Sequence, residues 1–279
     1  MTVGEALKRV TERLKRAGLP SAEAEASALL GTLLDATRSA LLLSRTRSLT
    51  AAELKKLEGW VTRREARYPL QHILGDAHFY GLTLRVTPDT LIPRPETERL
   101  VELGLLELKH LLHPKVLDVG TGTGAIALAV KAERPDAVVW GTDISAAALQ
   151  VAVSNAAHTA LDVHFARSDL LAAPDVRRFA QTADLLVSNP PYLPEADAAQ
   201  LSPEVHHDPP GALFSGVDGL AHFRKLSAQA LILLQPGAVY LLELDPRNVQ
   251  KARAESGAWA EAAVYADLVG RERFLRLKR

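Results

Sequence analysis

Cysteine is absent from all 279 residues. That excludes a disulfide framework, a thiolate metal site and a cysteine nucleophile. Aromatic residues are only 5% of the chain, so a core must rest on Leu, Val and Ala. Net charge is also missing, with 33 Lys and Arg against 33 Asp and Glu. A neutral chain lacks the broad basic field of a non-specific nucleic-acid binder. No run approaches the ~20 uninterrupted apolar residues of a membrane span. Glu5, Lys8 and Arg9 lie in an amphipathic N-terminal pattern, which is unlike a secretory signal. These absences lead us to expect a cytoplasmic protein with no membrane partner; a monomer is expected as well. What is present is apolar content, 47% of the chain, enough for a sizeable core.

Charge and texture both change near residue 75. Basic residues exceed acidic ones by five over residues 1–75 and fall short by five over residues 76–279. The first stretch reads as a small helical bundle. Thr2 and Glu5 have capping-box spacing, and Val3, Leu7, Val10 and Leu14 follow at helical spacing. Ser21 is placed to cap a second helix, and Thr50 with Glu53 to open another that Pro69 ends. Residues 76–90 read as a β-hairpin linker, with alternation from Ala77 to Val86 around Gly81. From residue 91 to 279, apolar strands alternate with helical patterns. This predicts an α/β domain of doubly wound, Rossmann-like form with a mainly parallel sheet.

Two segments carry chemistry. The first is Val116-Leu117-Asp118-Val119-Gly120-Thr121-Gly122-Thr123-Gly124, which follows a strand and opens a helix. Glycines there let backbone and ligand approach closely. Asp143 ends the next strand, where a carboxylate can accept from both ribose hydroxyls. Gly120, Gly122 and Ala125 satisfy the dinucleotide pattern, so a nicotinamide cofactor fits. S-adenosylmethionine also fits, and Asp118 favours it. A carboxylate near the turn gains nothing from a pyrophosphate but is attracted to a sulfonium and an ammonium. Asp169 is placed to accept from an adenine amino group, with Leu170 beside the ring, and equally to cap its own loop.

The second segment is Ser188-Asn189-Pro190-Pro191-Tyr192 after the fourth strand, at the topological switch point. Two prolines remove two N–H donors. Carbonyl acceptors remain, and Asn189 adds its side-chain oxygen. A planar –NH2 group is held by such a surface: Asn189 Oδ1 and the Pro190 carbonyl accept its two N–H bonds, and Tyr192 lies against its flat face. His206 and His207 are adjacent and lack a third ligand nearby, so no metal site is expected.

Together these residues resemble the HemK/PrmC-type glutamine methyltransferases. The resemblance spans almost the whole chain. Leu91-Ile92-Pro93-Arg94-Pro95-Glu96-Thr97-Glu98 and Tyr68-Pro69-Leu70-Gln71-His72-Ile73-Leu74-Gly75 match further family stretches. The resemblance implies a seven-stranded methyltransferase domain behind the helical bundle and hairpin. It implies transfer of a methyl group from S-adenosylmethionine to the Gly-Gly-Gln glutamine of class I peptide-chain release factors, in support of translation termination. Gly120 to Gly124, Asp143, Asp169, Leu170 and Asn189 then contact the cofactor. Asn189, Pro190, Pro191 and Tyr192 hold the glutamine, and the bundle grips the release factor. Thr97 and Glu98 are candidates for the cavity wall or for helix capping. Three segments depart from the family: Asp208-Pro209-Pro210, the single glycine before Asp218-Gly219-Leu220, and Glu243-Leu244-Asp245-Pro246-Arg247-Asn248. Methylation of a nucleobase amino group and nicotinamide-dependent oxidoreduction remain the competing readings.

Overall fold

The computed structural model describes residues 1–279 and divides into two compact units. Residues 1–75 and 202–207 form the smaller unit; residues 76–201 and 208–279 form the larger.

In the smaller unit, helix α1 (Val3–Arg16) starts where Thr2 and Glu5 satisfy each other's backbone N–H groups. Thr50 and Glu53 do the same for α4 (Ala51–Glu65). Between them lie α2 (Ala22–Leu34) and a short α3 (Arg38–Leu43). Ser21 makes no capping bond, because its backbone is not in the extended conformation a cap requires. Pro69 does not end α4 either. The chain leaves the helix at Arg67, in the left-handed region, and Pro69 instead precedes α5 (Leu70–Leu74). Val10, Leu14, Ala26, Leu29, Leu30 and Val61 form the core of this unit. Arg64 is buried beside it. Its guanidinium donates to Glu25 at 2.6 Å and to Glu204 at 2.9 Å, and Arg67 meets the same Glu204 at 2.6 Å.

The larger unit opens with a hairpin, β1 (Asp76–Phe79) and β2 (Leu82–Arg85). Its two turn residues, Tyr80 and Gly81, both have positive φ, as a two-residue hairpin loop demands. The hairpin is no free linker: Phe79 and Leu84 are buried in the core of the larger unit. Glu98 of α6 (Pro95–Leu108) accepts the Tyr80 N–H at 2.8 Å, which fixes the turn against that helix.

Strands and helices then alternate, with α9 the one element of this run that the pattern did not predict: β3 (Lys115–Val119), α7 (Ala125–Glu133), β4 (Val138–Asp143), α8 (Ala146–Thr159), β5 (His164–Arg167), α9 (Pro174–Ala180) and β6 (Leu185–Ser188). After a long loop come α10 (Ala221–Leu233), β7 (Val239–Glu243), α11 (Val249–Glu255), β8 (Glu261–Ala266) and β9 (Glu272–Lys278). The seven strands run in the order β5-β4-β3-β6-β7-β9-β8. All pairings are parallel except those of β9, which is antiparallel to both neighbours. This is a doubly wound, Rossmann-like fold.

β6 and β7 are buried on both faces, so they read as unbroken apolar runs. Leu185, Val187 and Leu241 serve the core on the α6 and α7 side, whereas Leu186, Tyr240 and Leu242 serve the other. Each such side chain contributes about 1.5–3 kcal/mol of burial. Gly104 lets α6 approach this sheet; a Cβ there would stand 3.2 Å from Leu185. The chain order reverses between β3 and β6, and a crevice opens beyond their carboxyl ends.

Candidate active site

A cavity of about 270 Å³ occupies this crevice in the larger unit. Its floor is the turn between β3 and α7. Gly120 and Thr121 both donate to the Thr142 carbonyl at 2.8 Å, so the turn folds over the end of β4. Gly120 and Gly122 have positive φ, and a Cβ built on either meets no protein atom within 4 Å. These two glycines leave room for a ligand rather than for packing. Gly124 differs. It does not line the cavity, and a Cβ there would crowd Leu128, Ala152 and Phe165 at 3.2–3.4 Å.

Asp143 ends β4 beside the turn. Its two carboxylate oxygens accept from Gly122 N at 3.0 Å and Ser145 N at 2.9 Å. Each retains a lone pair for a ligand hydroxyl. Asp169 and Leu170 line the wall after β5, with Leu170 in the left-handed region. Asp89 adds a third carboxylate to the lining, against one guanidinium, that of Arg94, which is itself paired with Asp208. Such a wall suits a ligand carrying positive charge and opposes a pyrophosphate.

Asp118 is placed differently from the sequence expectation. It lies fully buried beneath the turn and does not line the cavity. Its Oδ2 accepts from Thr121 Oγ1 at 2.6 Å and from Ala127 N at 3.3 Å, while Oδ1 is buried without a hydrogen bond. Burial pushes its carboxyl up to about 7. It holds the turn from behind. Asn155 of α8, which the sequence did not single out, also braces it. Its amide donates to Thr123 O at 2.9 Å and exchanges hydrogen bonds with the Arg85 backbone, tying hairpin to turn.

The opposite wall is the segment after β6. Ser188 donates to the Val119 carbonyl at 2.7 Å and locks the ends of β6 and β3 together. Asn189, Pro190 and Pro191 then line the cavity. The Asn189 Nδ2 donates to Thr97 Oγ1 at 3.0 Å, and Thr97 in turn donates to Glu243 Oε2 at 2.7 Å. The other end of the amide, Oδ1, is buried and has no partner. Thr97 therefore lines the cavity, whereas Glu98 is spent on the hairpin.

Tyr192 does not line the cavity. It packs against the sheet core, and its phenol, raised by burial, faces Glu243. Its carbonyl abuts Gly219, where no larger residue fits. Further wall residues that the sequence reading did not single out are Phe79 of the hairpin, Thr90, and His222 at the start of α10. His222 pairs with Ser215 Oγ at 2.9 Å, and burial lowers its basicity. Arg94, within the Leu91–Glu98 stretch, lines the cavity and donates to the buried Asp208 at 2.6 Å. The divergent Asp208-Pro209-Pro210 thus supplies an acid for that arginine.

Comparison with known proteins adds the family. A model described as the PrmC N-terminal domain matches residues 5–75, and one described as the methyltransferase small domain matches residues 101–208. A release factor glutamine methyltransferase of Deinococcus radiodurans is 46% identical over 100% of this chain and 99% of its own length. A protein of the same name from Rhodospirillum rubrum is 40% identical over 100% of this chain and 86% of its own. Among solved structures, the hMettl16 catalytic domain in complex with an RNA hairpin aligns with a TM-score of 0.55. It covers 82% of each chain at 15% identity, a likeness of fold alone.

Proposed function

We propose that this chain, which belongs to the release factor glutamine methyltransferase family, methylates the glutamine of the Gly-Gly-Gln motif in class I peptide-chain release factors and so supports translation termination. The chain is an S-adenosylmethionine-dependent protein-glutamine methyltransferase. When bound, the cofactor supplies a methyl group on a positively charged sulfur. The glycine turn and the carboxylate wall suit it. Asp143 would take the ribose hydroxyls, Asp169 and Leu170 the adenine, and Gly120 to Thr123 the remainder, with Asp118 acting through the turn it holds.

The observation that carries the substrate reading is the buried, unpartnered Asn189 Oδ1 on the cavity wall. An amide nitrogen is a weak nucleophile because its lone pair is delocalised. Held by an acceptor at Asn189 Oδ1 and another at the Pro190 carbonyl, its plane is fixed and its nitrogen can be aimed. Pro190 and Pro191 keep that segment stiff and free of competing donors. Alignment of this kind lowers a barrier by up to about 7–11 kcal/mol. No strong base is needed, because the nitrogen grows more acidic as it gains the methyl and sheds its proton late. The smaller unit, matched by the N-terminal family model, provides the surface for the release factor.

Labelled cofactor, offered with a release factor or with a nucleic acid, tests the reading. Label is expected in the release factor and lost when its Gly-Gly-Gln glutamine becomes Ala. Label in the nucleic acid instead would favour an exocyclic amino group as the acceptor. Asn189→Ala is expected to cut kcat by about a hundredfold while cofactor Kd moves less than about threefold. Equal loss of both would remove the amide-holding role.

A further inference from the structure

An Asn side chain has nearly the same shape with its oxygen and nitrogen exchanged. Which end faces a substrate is decided by its hydrogen bonds. At Asn189 that decision rests on two residues far away in sequence. Thr97 lies in the first turn of α6 and Glu243 ends β7, and only the fold brings them to the strand end that carries Asn189.

We propose that Glu243 and Thr97 are positioning residues whose hydrogen-bond polarity holds the carbonyl end of Asn189 toward the substrate amide. The proposal rests on the reading of Asn189 as the acceptor of the substrate N–H. An ionised carboxylate has no proton to give, so Thr97 must donate its hydroxyl to Glu243 Oε2. The Thr97 oxygen then offers only lone pairs to Asn189, which must answer with its –NH2. Oδ1 is left as the end without a partner. A proton on Glu243 reverses the line. Glu243 donates to Thr97, the Thr97 hydrogen turns to Asn189, and the amide flips to present its own –NH2 to the substrate –NH2. Two donors face each other, and the acceptor is gone.

The surroundings of Glu243 make this reversal accessible to pH. It is almost fully buried. Arg273 on β9 lies 3.8 Å away and favours the ionised form, as do the Thr97 and Tyr192 hydroxyls. Glu96 on α6 opposes it, and Arg273 is shared with Asp267 at 3.4 Å. Burial outweighs the favourable partners and pushes the carboxyl up to about 7.

The test uses the full chain with S-adenosylmethionine and a release factor. Thr97→Val removes the hydroxyl at nearly constant shape, and Thr97→Ser keeps it. At saturating cofactor and substrate, Thr97→Val is expected to lower kcat about tenfold or more, with cofactor Kd within about twofold, and Thr97→Ser to recover most of it. Wild-type kcat is expected to fall in acid with a midpoint near about 7, and that acid limb to flatten in Thr97→Val. Wild-type kcat in Thr97→Val, no rescue by Ser, or an unchanged acid limb in Thr97→Val would each overturn the proposal. The Asn189 side-chain N–H resonances, identified by their loss in Asn189→Ala, give a readout that needs no substrate. They are expected to shift across the same pH interval in wild type but not in Thr97→Val; an equal shift in both proteins overturns the relay. A wild-type enzyme that leaves every release factor unmethylated removes the proposed substrate, and those resonances still decide the relay.

Discussion

Two glycines two residues apart in one turn do different work. Gly122 has positive φ and open space where a side chain would stand, whereas Gly124 has positive φ and three packed neighbours. Gly122→Ala is therefore expected to weaken cofactor binding more than tenfold with a small loss of stability, of about 1 kcal/mol. Gly124→Ala is expected to lower the melting temperature first, because helix and strand must part to admit the methyl. Isothermal titration beside thermal melting separates the two. Asp118 gives a pH test at the same scale. Its folded value, about 7, stands above the ordinary carboxylate range, so the fold binds its proton more tightly than the unfolded chain does. Its contribution is full below about pH 4, is lost as pH climbs to about 7, and is constant beyond. Melting temperatures of Asp118→Asn relative to wild type are expected to rise across that window and then level off. A flat difference would mean that the buried carboxyl does not titrate there.

Local motifs and long-range contacts were not equally legible in the sequence, and the elements explain why. The glycine turn, the acid ending the next strand and the Asn-Pro-Pro-Tyr segment each announce themselves within a few residues of chain. The alternation of strand and helix gave the sheet, and capping boxes gave α1 and α4. Short helices such as α3 and α9 were missed, since six or seven residues hold too little periodicity to register. Asn155 left no local mark, Phe79 only its place in the hairpin alternation, and Glu243 only its place at the head of a divergent segment. Asn189 meets Thr97 across 92 residues, and Thr97 meets Glu243 across 146. Tyr192 misled for the related reason that the sequence places it in the motif, but only the fold turns its ring toward the core. The hairpin shows an element gaining a role from its packing. Phe79 is buried and also lines the cavity, so Phe79→Ala is expected to cost about 3–5 kcal/mol in chemical denaturation and to weaken cofactor binding as well.

At the scale of the whole molecule, the division into two units matters more than the total count of ion pairs. Most of those pairs have at least one exposed partner and contribute little. Arg64 is the exception in the smaller unit, being buried between Glu25 and Glu204. Arg64→Ala leaves Glu25 facing a gap, while Glu204 keeps Arg67, and is expected to destabilise that unit by about 3–5 kcal/mol. Circular dichroism should show loss of helix, while cofactor affinity, a property of the larger unit, holds near wild type.

The segment that ends β6 offers lone pairs and withholds hydrogens. Glutamine and glutamate side chains are close to the same size, so a steric sieve cannot sort them. Their difference is two hydrogens and a charge. A glutamate would bring oxygen against oxygen at Asn189 and would face a wall already rich in carboxylates. On the proposed role of Asn189, discrimination comes from counting protons, and a site of that kind rejects the wrong partner by far more than a misfit of one methylene could.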